Sequence, residues 1–271
     1  MDLAQVSART VHFDSGTASR EHGVRPSIAQ GSRYVCSVAP HSRRRTVRAL
    51  LQRIRSLGER HPRLGPWLYL SSLQYFVVQV LVSLRWSPAY SISRDTISDL
   101  GNTACGRFNG RHVCSPLHAL MNGSFIVLGL SMILGSILIA RSVARTRAGS
   151  VGFTMMGVGG LGVIVAGIFP ENTIPLFHGI GAALPFLVGN AGLLVIGLSL
   201  TLSSTVRAFT VGVGALSLMA LVLYASTRYV GLGEGGIERV VAYPQTIWLM
   251  AFGWYLLALG RPRAATPTPA S

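Results

Sequence analysis

The sequence contains no lysine and only nine acidic residues in 271, so all 24 basic side chains are arginines and the formal net charge is +15. Charged residues are 12% of the chain, about half the share of a soluble domain. A soluble helical bundle would need a charged stripe on each helix, and there are too few charges to draw one. A basic protein of this kind invites a nucleic-acid reading. The placement argues against it, because 11 of the 24 arginines lie in the first 60 residues and the others flank apolar runs. There is no HxxxH or HExxH pair, which removes the common zinc-hydrolase signatures. No apolar core follows the early charges, so no secretory signal is expected.

Apolar sequence is what the chain has in quantity: 49% of residues are hydrophobic and the mean hydropathy is +0.46. A bilayer core about 30 Å thick needs roughly 20 apolar residues per helix. Six runs approach or reach that length: Trp67 to Leu84, Leu117 to Ala140, Val151 to Phe169, Leu176 to Leu200, Ala208 to Ala225 and Val240 to Leu259. None contains Arg, Asp or Glu. The expected fold is all-α, a polytopic membrane bundle of six transmembrane helices in three hairpins over residues 66–260. Residues 1–45, rich in Ser, Arg, Gly and His, are expected to be a disordered basic tail. Val47, Leu50, Leu51, Ile54 and Leu57 recur at helical spacing among arginines, so residues 46–64 read as a basic amphipathic helix beside the membrane. Residues 261–271 are expected to be a disordered cytoplasmic tail.

The arginine distribution sets the expected orientation. With both termini inside, Arg53, Arg55, Arg60, Arg63, Arg141, Arg145, Arg147, Arg207, Arg261 and Arg263 face the cytoplasm. Only Arg85, Arg94, Arg107, Arg111, Arg228 and Arg239 face out. Cys105 and Cys114 then share an outer loop, where an oxidising compartment would let them bridge. The outer connections are 86–116, 170–175 and 226–239. They hold Asp95, Asp99, Glu171, Glu234 and Glu238, every acid after Glu59. The expected location is the bacterial plasma membrane.

Polar residues concentrate at that outer face. "CSPLHALMNGSF" and "TIPLFHGIGAAL" echo each other, each setting a Pro and then a His at the start of a span. His118 and Asn122 lie four apart on one helix face, His178 sits at similar depth near Glu171, and Asn190 is an amide in mid-span. Three outward helix N-termini would make an anion-friendly pocket if they converged. In "SISRDTISDLGNTACG", Asp99 is the expected anchor of a loop folded over the bundle, with Arg239 and His118 as partners and Gly101 supplying the turn. Small residues at Gly162–Ala166 and Gly179–Ala183 spacing suit close helix packing, and Pro185 should kink the fourth span.

The blocks "TISDLGN", "SPLHALMNGSF", "GLGVIVAGIFPENT", "FHGIGAALPFLVGN" and "ERVVAYPQTIW" resemble those of the bacterial and archaeal membrane proteins grouped as domain of unknown function 998. A more distant likeness is to the six-span damage-regulated autophagy modulator group, associated with lipid handling and membrane traffic. The resemblance implies the six-span fold and candidate positions Ser98, Asp99, Gly101, His118, Asn122, Glu171, His178, Gly181, Asn190, Glu238 and Arg239. It implies no established activity and no cofactor.

Three functions fit these residues. The first is a non-enzymatic protein binding a lipid head group or a membrane-protein partner at the outer face. No nucleophile–base unit is recognisable along the chain. The second is a metal-dependent membrane hydrolase with Asp99, His118 and His178 as ligands and Glu171 or Glu238 as base. The third is a proton-coupled transporter, which needs ionisable groups near the midplane.

Overall fold

The computed structural model describes residues 59–260, together with Gln52, Arg53 and Ser56. The expected tails, 1–45 and 261–271, and most of the expected 46–64 helix lie outside the described residues. Of that helix, Gln52, Arg53, Ser56, Glu59 and Arg60 are helical, and Glu59 meets Arg141 at 3.0 Å.

Five helices are long and apolar enough to cross a membrane. They are α3 (His118–Val143), α4 (Arg147–Ile168), the composite Pro175–Ser199, α7 (Ser204–Ala225) and α8 (Gly233–Leu259). The composite contains α5 (Pro175–Ala183), a π-helical segment Leu184–Gly189 and α6 (Asn190–Ser199). The first apolar run departs from the expected single span. It forms α1 (Leu64–Leu70) and α2 (Leu73–Ser83), interrupted at Ser71 and Ser72. The cause is local. The Ser71 hydroxyl bonds the Leu68 carbonyl at 2.7 Å, and the backbone tightens to three-residue bonds from Ser72 to Tyr69 and Tyr75 to Ser72. Ser71 also reaches Ser131 of α3 at 2.9 Å.

Helices adjacent in sequence pack against each other, and α8 returns against α1 to close the ring. Close approach is set by glycine. A side chain on Gly129 would run into the Gly160 carbonyl, and one on Gly162 into the Gly181 carbonyl. With no hydrophobic force between helices in lipid, such contacts carry the packing. The expected Gly179–Ala183 pair does not take part: Gly179 faces open space, and Gly181 makes the contact with Gly162 and Ala166. Pro185, which has no N–H to give, falls inside the π segment. Buried polar pairs add direction, with Tyr69 to Ser136 at 2.8 Å and the Trp248 indole donating to Thr210 at 2.9 Å. At the opposite end from the long polar connection, α3 and α4 part around a groove of about 660 Å³ whose lining includes Ser136, Arg141, Ser150 and Thr154.

The fold is not wholly helical. Inside the long polar connection, β1 (Gly106–Phe108) and β2 (Arg111–Val113) form an antiparallel hairpin with Arg107 opposite His112. Its turn takes Asn109 and Gly110 at positive φ, the Asn-Gly pair such hairpins favour. Cys105 and Cys114 flank the hairpin and are bridged.

Candidate functional site

The connection between α2 and α3 folds down onto the bundle, and its anchors are mostly backbone carbonyls. Arg239 lies in the second turn of α8, because that helix begins at Gly233, before the expected start at Val240. Its guanidinium donates to the carbonyls of Ile92 (2.9 Å), Asp95 (2.9 Å) and Gly235 (2.7 Å), and to the Tyr90 hydroxyl. The Tyr90 hydroxyl in turn donates to the Asp95 and Thr96 carbonyls, at 3.2 and 2.8 Å. Burial first of all holds the Tyr90 phenol above its ordinary range, with Arg239 partly opposing. The Nε of Arg239 meets the Tyr243 hydroxyl at 3.2 Å, which donates onward to Gln79 at 2.7 Å.

The expected Asp99–Arg239 pair does not form. Arg239 is used up by carbonyls and phenols, and fully buried Asp99 pairs with Arg111 of β2 at 2.8 Å. The hairpin is the reason: pairing β1 with β2 turns Arg111 inward, and the same arginine also binds Glu234 in the first turn of α8. Burial works against the Arg111 charge, but Asp99 and Glu234 outweigh it and its pKa is raised. Asp99 also accepts from the Thr96 amide at 2.8 Å, while its own amide donates to the Thr96 hydroxyl at 3.0 Å. That reciprocal pair shapes the short 3₁₀ turn Ser98–Gly101.

Glu171 stands carboxyl to carboxyl with Asp99. Its pKa is pushed up to about 9, by burial first and then by the Asp99 charge and their hydrogen bond. Asp99 Oδ1 and Glu171 Oε1 are both buried without a hydrogen-bond donor. Further ties come from α3 and the α4–α5 connection. Asn122 donates to the Gly101 carbonyl at 2.9 Å, Ser115 to the Leu100 carbonyl at 2.7 Å, and Thr103 and Asn172 bond each other twice. Gly101 has an ordinary φ and is not the flexible turn expected. A side chain there would collide with Asn122, so closeness is its role. His118 bonds the Ser115 carbonyl at 2.9 Å, and Pro116 lies just before α3, so the echo with His178 is one of sequence rather than of environment.

Ser98, His178 and Glu238 do come together. The Ser98 hydroxyl is 2.9 Å from His178 Nε2 and 3.2 Å from Glu238 Oε1. The second Glu238 oxygen accepts from the Ile97 amide. His178 Nδ1 faces the carbonyls of Phe169 (3.0 Å) and Ala166 (3.2 Å). These groups sit at one end of a cavity inside the bundle whose other lining is largely apolar, with Phe125, Met132, Val163 and Phe186 among it. The cavity has about 50 Å³ of space for water-sized molecules, room for roughly four waters. Gln245 lines the same cavity, is 5% exposed, and its amide nitrogen has no partner. Asn190 sits deeper, donating to the carbonyls of Phe186 (2.9 Å) and Val241 (3.3 Å).

Sequence reasoning missed Gln245, Arg111, Tyr90 and Asn172. One signal was available: Glu234 and Glu238 are four apart, so on a helix they share a face. Among the described residues, no three His, Cys, Asp or Glu side chains gather to hold a metal ion. The proposed ligand set Asp99, His118 and His178 is dispersed, each residue having other partners.

The family model for "Protein of unknown function (DUF998)" matches residues 70–255. The chain belongs to this family. No curated protein and no solved structure matches it, and nothing found extends to the damage-regulated autophagy modulator group.

Proposed function

We propose that this DUF998 protein binds a neutral lipid bearing a hydroxyl, ester or amide at its polar-loop face. The observation that carries the reading is the cavity, with largely apolar walls, a polar end of Ser98, His178 and Glu238, and Gln245 further along its lining. Small-molecule sites take this form, with few polar groups fixing orientation inside an apolar shell. A phosphate head group fits poorly. No arginine lines the cavity, Arg239 and Arg111 are committed elsewhere, and Glu238 would repel an anion. The ligand has to widen the walls. The π segment Leu184–Gly189 offers the give, since Pro185 and Phe186 line the cavity and π turns are weak points in helices.

Metal-dependent hydrolysis and proton-coupled transport rank below this, the first for want of a gathered donor set. The second needs ionisable groups near mid-span, where Asn190 and Gln245 are neutral amides. The reading also takes the polar-loop face as the outside: a cysteine placed at Asn109 should react with an impermeant reagent applied outside, and one at Arg145 should not. Mass spectrometry of lipids retained in a mild detergent tests the binding itself. Neutral lipids should be enriched over their share of the membrane, and Gln245→Leu should lose them. Phospholipids retained in bulk proportion would contradict the proposal.

A further inference from the structure

We propose that Ser98 is a nucleophile and His178 its general base, so that the cavity hydrolyses the ester of a neutral acyl lipid. The inference rests on the neutral-lipid reading above and adds a reaction to it. Its basis is proton accounting at His178. The two groups facing Nδ1, the carbonyls of Phe169 and Ala166, can only accept. Nδ1 therefore carries the ring hydrogen, and Nε2 presents its lone pair to the Ser98 hydroxyl at 2.9 Å. A base within reach of a hydroxyl, held in one tautomer by a third group, is the arrangement that activates a serine. Here two backbone carbonyls do the orienting, where better-known examples use a carboxylate.

Both members are held still. Ser98 opens the 3₁₀ turn that Thr96, Asp99 and Arg111 fix. His178 is on the first turns of α5, buried against the end of α4. Gln245, two helical turns from Glu238 on α8, lines the same cavity with a buried amide nitrogen that has no partner, and can hold a polar group of the substrate away from the reacting carbonyl.

Glu238 bears on the reaction through the single Ser98 proton, for which it and His178 compete. The contact to His178 is the shorter, 2.9 against 3.2 Å. In the reaction, Ser98 Oγ forms a bond to the ester carbonyl carbon and its proton passes to Nε2. The carbon–oxygen bond to the alcohol breaks, and the alcohol leaves with that proton. Water then attacks the acyl–Ser98 ester, giving its proton through His178 to Ser98 Oγ and releasing the fatty acid.

A long-chain alkyl fluorophosphonate tests this in the full chain, in detergent micelles. It phosphonylates an activated serine with loss of fluoride. The adduct should map to Ser98 and vanish in Ser98→Ala. His178→Gln should slow labelling by roughly 100-fold, the scale of a lost general base. His178→Ala should be slowed as far as His178→Gln, as expected if the ring itself is the base. His118→Gln should be unchanged. An unlabelled Ser98 in monodisperse protein overturns the proposal, and so does labelling at the native rate in His178→Gln. If either variant fails to fold, the native protein alone decides by whether Ser98 carries the adduct. Neutral lipid retained without any adduct leaves the binding site standing and removes only the catalysis.

Discussion

At the polar-loop end, Arg239, Arg111 and Asn122 hold a long connection down by hydrogen bonds to named carbonyls and carboxylates. Along the body of the bundle, Gly129 against Gly160 and Gly162 against Gly181 bring backbones together with no polar bond between them. The same chain thus uses two kinds of specificity. One depends on which group donates to which, and the other on the absence of atoms. In the first, a lost side chain leaves buried acceptors stranded; in the second, an added methyl pushes two helices apart. The polar end should therefore be the more sensitive to removal and the glycine-packed body to addition.

Arg239→Ala should have the largest effect. It strands the Ile92 carbonyl and leaves the Asp95 carbonyl with only its long Tyr90 bond, at about 1–3 kcal/mol for each lost charged bond, for a total loss on the order of 3–5 kcal/mol in thermal unfolding in detergent. Gly129→Ala should cost about 1–3 kcal/mol by overpacking against Gly160, with the polar connection still closed. Arg111 and Asp99 should be coupled. Combining Asp99→Asn with Arg111→Gln should cost less than the sum of the two singles by about 1 kcal/mol, whereas Asp99→Asn with Arg239→Ala should be closer to additive.

The pH dependence takes its sign from Glu171. Its folded pKa of about 9 stands above the ordinary 4.5. The stabilisation is full below about pH 4.5 and is lost as pH rises towards 9, because folding then requires a proton the unfolded chain gives up. Melting temperature should fall across that window, and Glu171→Gln should flatten the slope. His118→Gln should change stability by less than about 0.5 kcal/mol, since its ring bonds only a neighbouring carbonyl.

The apolar runs made the helical membrane class legible, because a bilayer leaves few other ways to satisfy a backbone. The break at Ser71–Ser72 was less so, since it depends on Ser71 finding both its own turn and Ser131 on α3. Asp99, His178 and Glu238 were singled out by their polarity in an apolar chain, and Ser98 by the family resemblance. Their partners were not legible. Asp99 was assigned to Arg239 because both were expected at the same face, but the β-hairpin that delivers Arg111 rests on an eight-residue pattern between cysteines. The Ser98–His178 contact joins positions 80 apart, and no local spacing announces it.

The central claim is that the 90–102 segment is a fixed part of the bundle and presents Ser98 to His178. Amide hydrogen exchange of the detergent-solubilised protein tests it most directly. The amides of Thr96, Ile97 and Asp99, bonded to Asp99, Glu238 and Thr96, should be protected as well as those in the middle of α4, and Arg239→Ala should release all three together. Exchange of these amides at the rate of an open loop in the native protein would contradict the account.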